Sequence, residues 1–270
     1  MLTMLLLAAT AAAAPDPLLC PAGSGTRIVA HRGRLDADRP ENSLVEMKAI
    51  AATALYMLEI DLSETRDGSI LLLHDDDLDR TTTGHGPIAA LTVAEVKKLR
   101  LKDSPEPLPR FDAVARWAAR TRGVTLMLDI KKTPPAKIAP IVKSAHITDR
   151  VLVLTFDRAT TQSAIATDPH WRISALVRSS EELRAYRDLF AGRPFVAYLP
   201  TVSPTALFAE ARAAGVTILT DVMSGGASSP DTRAASDAEA YRNYLADHPA
   251  DLLVTDHARR MRACAGSNSK

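Results

Sequence analysis

From about residue 27 onward, short apolar runs alternate with amphipathic helical patterns, and this alternation restricts the fold more than any other feature. The runs fall at 27–31, 56–62, 124–130, 151–156, 172–177, 195–199, 216–220 and 252–255. Helical patterns stand between most of them, at 43–54, 111–121, 136–145, 180–190, 205–214 and 237–246. The first opens with Ser43-Leu-Val-Glu46, the spacing of a capping box. Strand and helix in alternation form right-handed βαβ units around a parallel sheet. Eight such units in about 250 residues fit a (β/α)8 TIM barrel, with a doubly wound sheet as the alternative. The 46% apolar and 24% charged content is that of a chain able to bury such a core.

One stretch has no room for a helix. In "EIDLSETRDGSILLLHD" (59–75), Asp67-Gly68 lies between alternating and apolar runs, a two-residue hairpin signal. Taking that pair as the loop sets Arg66 against Ser69 and, further out, Asp61 against His74. Glu59 shares a face with Asp61, because side chains two apart on a strand point the same way. The hairpin thus gathers Glu59, Asp61 and His74 at the mouth of the second barrel strand. Residues 75–110, ending in the Pro-rich "KDSPEPLPR", read as a small insertion after this hairpin, and 221–237 as a long loop. A single barrel domain is expected over 24–264.

Residues 2–14 ("LTMLLLAATAAAA") are apolar and uncharged, and Pro15 follows. The run is too short to cross a bilayer, which takes about 20 residues. It reads as the core of a signal peptide spanning 1–14, and so as a mark of a periplasmic or secreted protein. Cys20 and Cys264 lie near opposite ends of the chain; a disulfide tying the termini and two separate thiols both fit their spacing. The formal charge of +1 provides no basic face for a nucleic-acid partner. No oligomeric state follows from the sequence.

Active groups of such barrels gather at the C-terminal strand ends. Here those ends carry His31 and Arg32, then Glu59 and Asp61, His74 from the hairpin, and Asp129 with Lys131. Three carboxylates in one mouth repel one another unless some stay protonated or a cation holds them. An all-oxygen ligand set suits Ca2+ or Mg2+. A dication beside Arg32 and Lys131 is a site for a phosphate, and two imidazoles supply a base and an acid near neutral pH. Together they point to phosphodiester cleavage. Gly33 is expected to let the backbone pass close to that phosphate.

In "AHRG" (30–33), "PENS" (40–43), "EIDLSETRDG" (59–68), "HDDDLDRTTTGHG" (74–86), "LDIK" (128–131) and "LLVTD" (252–256) the chain resembles the glycerophosphodiester phosphodiesterases. The resemblance implies a TIM barrel with a small insertion, a divalent cation, and cleavage of glycerophosphodiesters to glycerol 3-phosphate and an alcohol. Carried over by motif, it makes His31 and His74 the acid–base pair, Glu59, Asp61 and Asp129 the metal ligands, and Arg32 and Lys131 the phosphate contacts. Glu41 and Asn42 would support these groups, Asn42 being alternatively a cap for the following helix. The chain departs from the family in three places. Asp129 stands where a Glu is usual, "ILTDVM" (218–223) replaces a run containing Trp, and the last strand reads "TDHA". Rival readings are a phospholipase-type phosphodiesterase on intact lipid and a non-catalytic protein that binds phosphorylated head groups. The polar insertion "LKDSPEPLP" (101–109) speaks against the first, and retention of both histidines and all three carboxylates against the second.

Overall fold

A computed structural model describes residues 25–53, 57–223, 226–237 and 239–260. The leader at 1–14 and both cysteines lie outside the described residues. Nine strands are described, β1 (Arg27–Ala30), β2 (Met57–Glu64), β3 (Ile70–Leu72), β4 (Thr125–Asp129), β5 (Val151–Thr155), β6 (Arg172–Leu176), β7 (Val196–Leu199), β8 (Thr217–Asp221) and β9 (Leu252–Thr255). All but β3 run parallel in the order β1-β9-β8-β7-β6-β5-β4-β2, and β1 pairs with β2 to close the ring. That closure is the (β/α)8 barrel and excludes the doubly wound sheet, whose edges stay open.

The connecting helices are α1 (Leu44–Ala51), the short α2 (Val93–Val96), α3 (Phe111–Arg120), α4 (Pro135–Ser144), α5 (Arg158–Thr167), α6 (Ser180–Phe190), α7 (Thr205–Ala213), α8 (Pro230–Arg233) and α9 (Ala240–Asp247). Helix α5 has no counterpart among the sequence patterns. Its buried positions are only Thr161 and Ala164, too few to draw an apolar stripe. What starts it is Asp157, whose carboxylate accepts from the Thr160 N–H at 2.8 Å. The loop expected over 221–237 likewise contains α8 and the start of the turn into α9.

Each barrel strand alternates its side chains between two cores. One set, including Ile28, Leu58, Leu126, Val153, Ile173 and Ile218, packs under the helices. The other, including Val29, Met127, Leu152, Val196, Leu219 and Val254, fills the barrel interior. This two-sided burial explains why the strands read as continuous apolar runs.

The hairpin differs from its expected register by one residue. Glu64 pairs with Ile70, Ser63 with Leu71 and Leu62 with Leu72. The loop has three residues, Arg66 to Gly68, closed by Thr65 N–H to the Ser69 carbonyl at 3.0 Å, with Gly68 at φ 80°. Three-residue hairpins take this left-handed glycine as a bulge. Leu73, not His74, therefore lies against Asp61, its N–H donating to the Asp61 carbonyl at 3.2 Å.

The segment 75–110 builds a small core of its own from Leu78, Ile88, Val96, Leu101 and Leu108 against Leu71 and Leu73. It also caps α1. Ser43 accepts from the Glu46 N–H, as expected, while the second carboxylate at this helix start is Glu106, which accepts from the Ser43 hydroxyl and the next N–H groups. The Leu44 N–H donates to Glu106 at 2.8 Å, while the Glu46 carboxylate turns to the Arg39 guanidinium at 2.6 Å. Gly33, at φ 60°, faces protein and not an approaching ligand: a Cβ there would lie 2.9 Å from Met47.

Candidate active site

Strand parity decides which side chains reach the mouth. Val29, Met57, Met127, Leu152 and Val254 point inward, so Glu59, Asp61 and Asp129, at even offsets along β2 and β4, do too. The parallel pairing of β2 with β4 sets Asp61 beside Asp129 and Glu59 one layer below. All three carboxylates are buried, with ligand atoms within 4.8 Å of one another. Burial, then the charges of Asp61 and Asp129, push the Glu59 carboxyl well above its ordinary range. Burial also raises Asp129, against the pull of Lys131. Three hard oxygen donors whose charges are mutually unfavourable fit a divalent cation.

Asn42, Arg32 and Lys131 make direct contacts with the cluster, and Glu41 reaches it through Arg32. Asn42 holds Asp61 from both sides, Nδ2 donating to Oδ2 at 2.8 Å and Oδ1 accepting from the Asp61 N–H at 3.1 Å. Ser43 is the helix cap, so Asn42 is free for this task. The Arg32 N–H donates to Glu59 at 2.8 Å, with Arg32 held at φ 51° in the turn following β1. Its guanidinium donates to both oxygens of Glu41 at 3.0 Å and lies 3.9 Å from Asp61. Lys131 Nζ donates to Asp129 at 2.6 Å and stands 5.5 Å from the centre of the Phe156 ring.

Each histidine is oriented by a carboxylate. His31 Nδ1 is 2.8 Å from Asp256 Oδ1, and its Nε2 faces Glu59 Oε2 at 3.9 Å. His74 Nδ1 is 2.8 Å from Asp75 Oδ1. A carboxylate on Nδ1 fixes that nitrogen as a donor and turns Nε2 outward, to accept a proton when the ring is neutral and to give one when the ring is protonated. Arg34 and Arg80 hold these carboxylates in turn, at 2.7 Å from Asp256 and 2.6 Å from Asp75. Arg80 also grips Glu41 through two bonds, at 2.9 and 2.8 Å. Arg34 also lies 3.8 Å from Glu41, so Glu41 joins the two histidine–aspartate pairs through Arg34 and Arg80. Burial raises its carboxyl, but Arg80 and Arg32 outweigh that and hold it below the ordinary range. Burial likewise works against Asp256, yet His31 and Arg34 keep it far below the usual carboxylate range. Arg80 does the same for Asp75, with burial opposing and His74 adding to the pull.

Four of these residues, Arg34, Asp75, Arg80 and Asp256, were not singled out from the sequence. Asp75 and Asp256 had a signal: one directly follows His74, the other ends the last barrel strand. Asp231, in α8, is a fifth. Buried, it accepts from Thr255 Oγ1 at 2.6 Å, the Asp256 N–H at 2.8 Å and Tyr241 Oη at 2.8 Å, and so fixes the backbone that carries Asp256.

A cavity of about 600 Å3 opens at the other, N-terminal end of the barrel, between Arg27, Met57, Leu152, Arg172, Phe195 and Leu252. It contains none of the carboxylates or histidines above. The chemistry therefore places the site at the C-terminal mouth.

Comparison with known proteins gives the same picture. The model of the glycerophosphoryl diester phosphodiesterase family matches residues 31–225. A glycerophosphodiester phosphodiesterase of Caldanaerobacter subterraneus subsp. tengcongensis is 26% identical over 166 residues, 56% of this chain. The match spans just under two thirds of that protein's own length, 66%. Among solved structures, a glycerophosphoryl diester phosphodiesterase from Parabacteroides distasonis superposes with a TM-score of 0.74 at 26% identity, over 89% of this chain and 86% of that one. A phosphodiesterase from Oleispira antarctica, solved with its product sn-glycerol-3-phosphate, shares the fold at a TM-score of 0.71 and 18% identity, over 89% of this chain and 96% of that one.

Proposed function

The chain belongs to the glycerophosphoryl diester phosphodiesterase family, and from that premise we propose that it hydrolyses glycerophosphodiesters to glycerol 3-phosphate and an alcohol, with His31 and His74 moving the protons. One observation carries this reading: His31, its Nδ1 turned onto Asp256, faces a cluster of three buried carboxylates, and His74, its Nδ1 likewise turned onto Asp75, is tied to the same mouth through Arg80 and Glu41. The product complex of the Oleispira relative supports the choice of product.

Glu59, Asp61 and Asp129 would hold a divalent cation, Ca2+ or Mg2+. Once bound, it supplies Lewis-acid polarisation of a phosphoryl oxygen and offsets the charge of the cluster. The chain's own groups do the rest. Asn42 and the Arg32 N–H keep Asp61 and Glu59 in place. Lys131, already beside Asp129, is the cation that reaches a phosphate oxygen by leaving that carboxylate. Arg32 stands behind the cluster, its guanidinium braced by Glu41, and adds positive charge where the phosphate's negative charge must sit. His31 Nε2 faces the pocket and is placed, as a neutral ring, to take the proton of the attacking hydroxyl, while His74, entering with its ring protonated, gives its Nε2 proton to the leaving alkoxide and is left neutral. The attacking group is water or the neighbouring glycerol hydroxyl, and trapping a cyclic phosphate in single turnover separates the two.

Among the described residues no helix is long and apolar enough to cross a membrane. With the apolar run at 2–14, we infer export to the periplasm or medium, which N-terminal sequencing of the mature protein tests.

The direct experiment is glycerol 3-phosphate release from glycerophosphocholine with and without EDTA. Release that EDTA abolishes and Ca2+ or Mg2+ restores is expected. His31→Ala and His74→Ala are each expected to lose on the order of 10²–10⁴-fold in rate. A variant within threefold of the parent refutes its assigned role.

A further inference from the structure

The inward positions around the mouth divide into two arcs. Strands β9, β1, β2 and β4 supply the charged arc, from Asp256 and His31 through Glu59 and Asp61 to Asp129 and Lys131. The arc formed by β5, β6 and β7 is mainly apolar, with the buried Ser174 hydroxyl of β6 level with Leu154. Leu154 and Leu176 are buried there, and Phe156 and Tyr198 are half-buried above the interior core. Register confirms that these share the inner face, since Leu176 pairs with Tyr198 and Leu154 is paired with Asp129 on its other side.

Tyr198 is fixed in this arc more firmly than packing alone requires. Its hydroxyl donates to Asp221 Oδ2 at 2.8 Å, and the Thr201 hydroxyl lies on the other oxygen of the same carboxylate. Its ring meets Phe156 edge-on, with centroids 6.3 Å apart and planes at 79°. Burial, then the Asp221 charge, push the phenol well above its ordinary value, and its O–H is already given to Asp221. Lys131, 5.5 Å from the Phe156 ring centre, marks the seam between the arcs.

We propose that this aromatic arc is the subsite for the alcohol of the diester, and that Tyr198 is the residue that sets its preference for alcohols with methyl and methylene surface over polyols. The proposal rests on the hydrolase reading above, which places the phosphate on the charged arc. A phosphodiester carries two organic groups. The hydroxyls of glycerol find donors and acceptors on the charged arc. On the aromatic arc the Tyr198 and Thr201 O–H donors are already given to Asp221, so a polyol there recovers few of the hydrogen bonds it leaves in water. A trimethylammonium group loses little by leaving water and gains contact with an aromatic face.

The test compares kcat and KM on glycerophosphocholine and glycerophosphoinositol for the parent, Tyr198→Ala and Tyr198→Phe, with thermal melts of each. The parent is expected to favour the choline ester by about tenfold or more in kcat/KM. Tyr198→Ala should raise KM for the choline ester by about tenfold and for the inositol ester by no more than about threefold, so the preference collapses. Tyr198→Phe keeps the ring but cuts the tether to Asp221, and should fall between parent and alanine variant. If Tyr198→Ala does not fold, Tyr198→Phe and Phe156→Leu make the comparison. Equal losses on both esters, or no preference in the parent, overturn the subsite. A parent that cleaves neither ester overturns the hydrolase reading, and this proposal with it.

Discussion

Glu59→Gln separates the electrostatics of the carboxylate cluster from its packing, because glutamine keeps the shape and can still accept from the Arg32 N–H. The Glu59 carboxyl lies within 4.8 Å of those of Asp61 and Asp129. At an effective dielectric of about 20, one like-charge contact at that range costs roughly 3.5 kcal/mol. In the cation-free protein burial, then these two charges, raise the folded pKa of Glu59. The sign follows. Glu59's contribution to stability is fully present below the unfolded value of about 4.3 and is lost as pH rises through the folded pKa, at about 1.4 kcal/mol per pH unit. Glutamine does not titrate. In EDTA, Glu59→Gln should therefore melt higher than the parent at pH 7, by about 2–4 °C for each kcal/mol relieved, with little difference at pH 4. A divalent cation at about a hundred times its Kd stabilises the parent by about 2.7 kcal/mol, a rise of roughly 5–10 °C. In the variant that rise should fall by more than half. Scanning fluorimetry from pH 4 to 8, with EDTA and with millimolar CaCl2 or MgCl2, reads both effects. Parallel pH profiles in EDTA, or equal cation shifts, would refute the idea that Glu59 is the strained member of a cation site.

Two further substitutions probe the supports. Asp256→Asn keeps the contact shape at His31 Nδ1 but removes the charge shared with Arg34 at 2.7 Å. A kcat loss of about 10- to 100-fold is expected, and a folded variant within twofold of the parent rejects the orienting role. Asp256 is depressed in the folded state, so its stabilisation is present above the unfolded aspartate value of about 3.9 and lost as pH falls through the folded pKa. The variant should thus lose stability relative to the parent at pH 7 and approach it in strong acid. Gly33→Ala forces a side chain onto φ 60° and against the buried Met47. A loss of about 1–3 kcal/mol should appear as a lower melting temperature, and an unchanged melt contradicts the assigned reason for the glycine.

The hairpin and α5 show where reading from sequence stopped. Asp67-Gly68 announces a turn, but two- and three-residue loops share that signal. The choice depends on whether Thr65 and Ser69 close across the loop. The one-residue slip moved His74 off Asp61, yet Glu59 and Asp61 kept their common face because parity within one strand does not depend on the partner. Helix α5 was missed for a different reason. Packed by Thr161 and Ala164, it carries no periodic stripe and is held by its place between β5 and β6.

Residue order alone determined the alternation of buried strands and helices, and with it the barrel and the strand ends where Glu59, Asp61, Asp129 and His31 appear. It also gave Asn42 as a candidate support. Only the tertiary structure decided which groups serve those residues. Asp256 reaches His31 across 225 positions of sequence, Glu106 caps α1 across 62, and Asp221 tethers Tyr198 across 23. Strand identity is local, because burial on two faces leaves its mark on five consecutive residues. Carboxylate partners are not local: an aspartate takes the same place in the chain whether it meets solvent, a histidine or a tyrosine. Closing the ring between β1 and β2 is what selects among them.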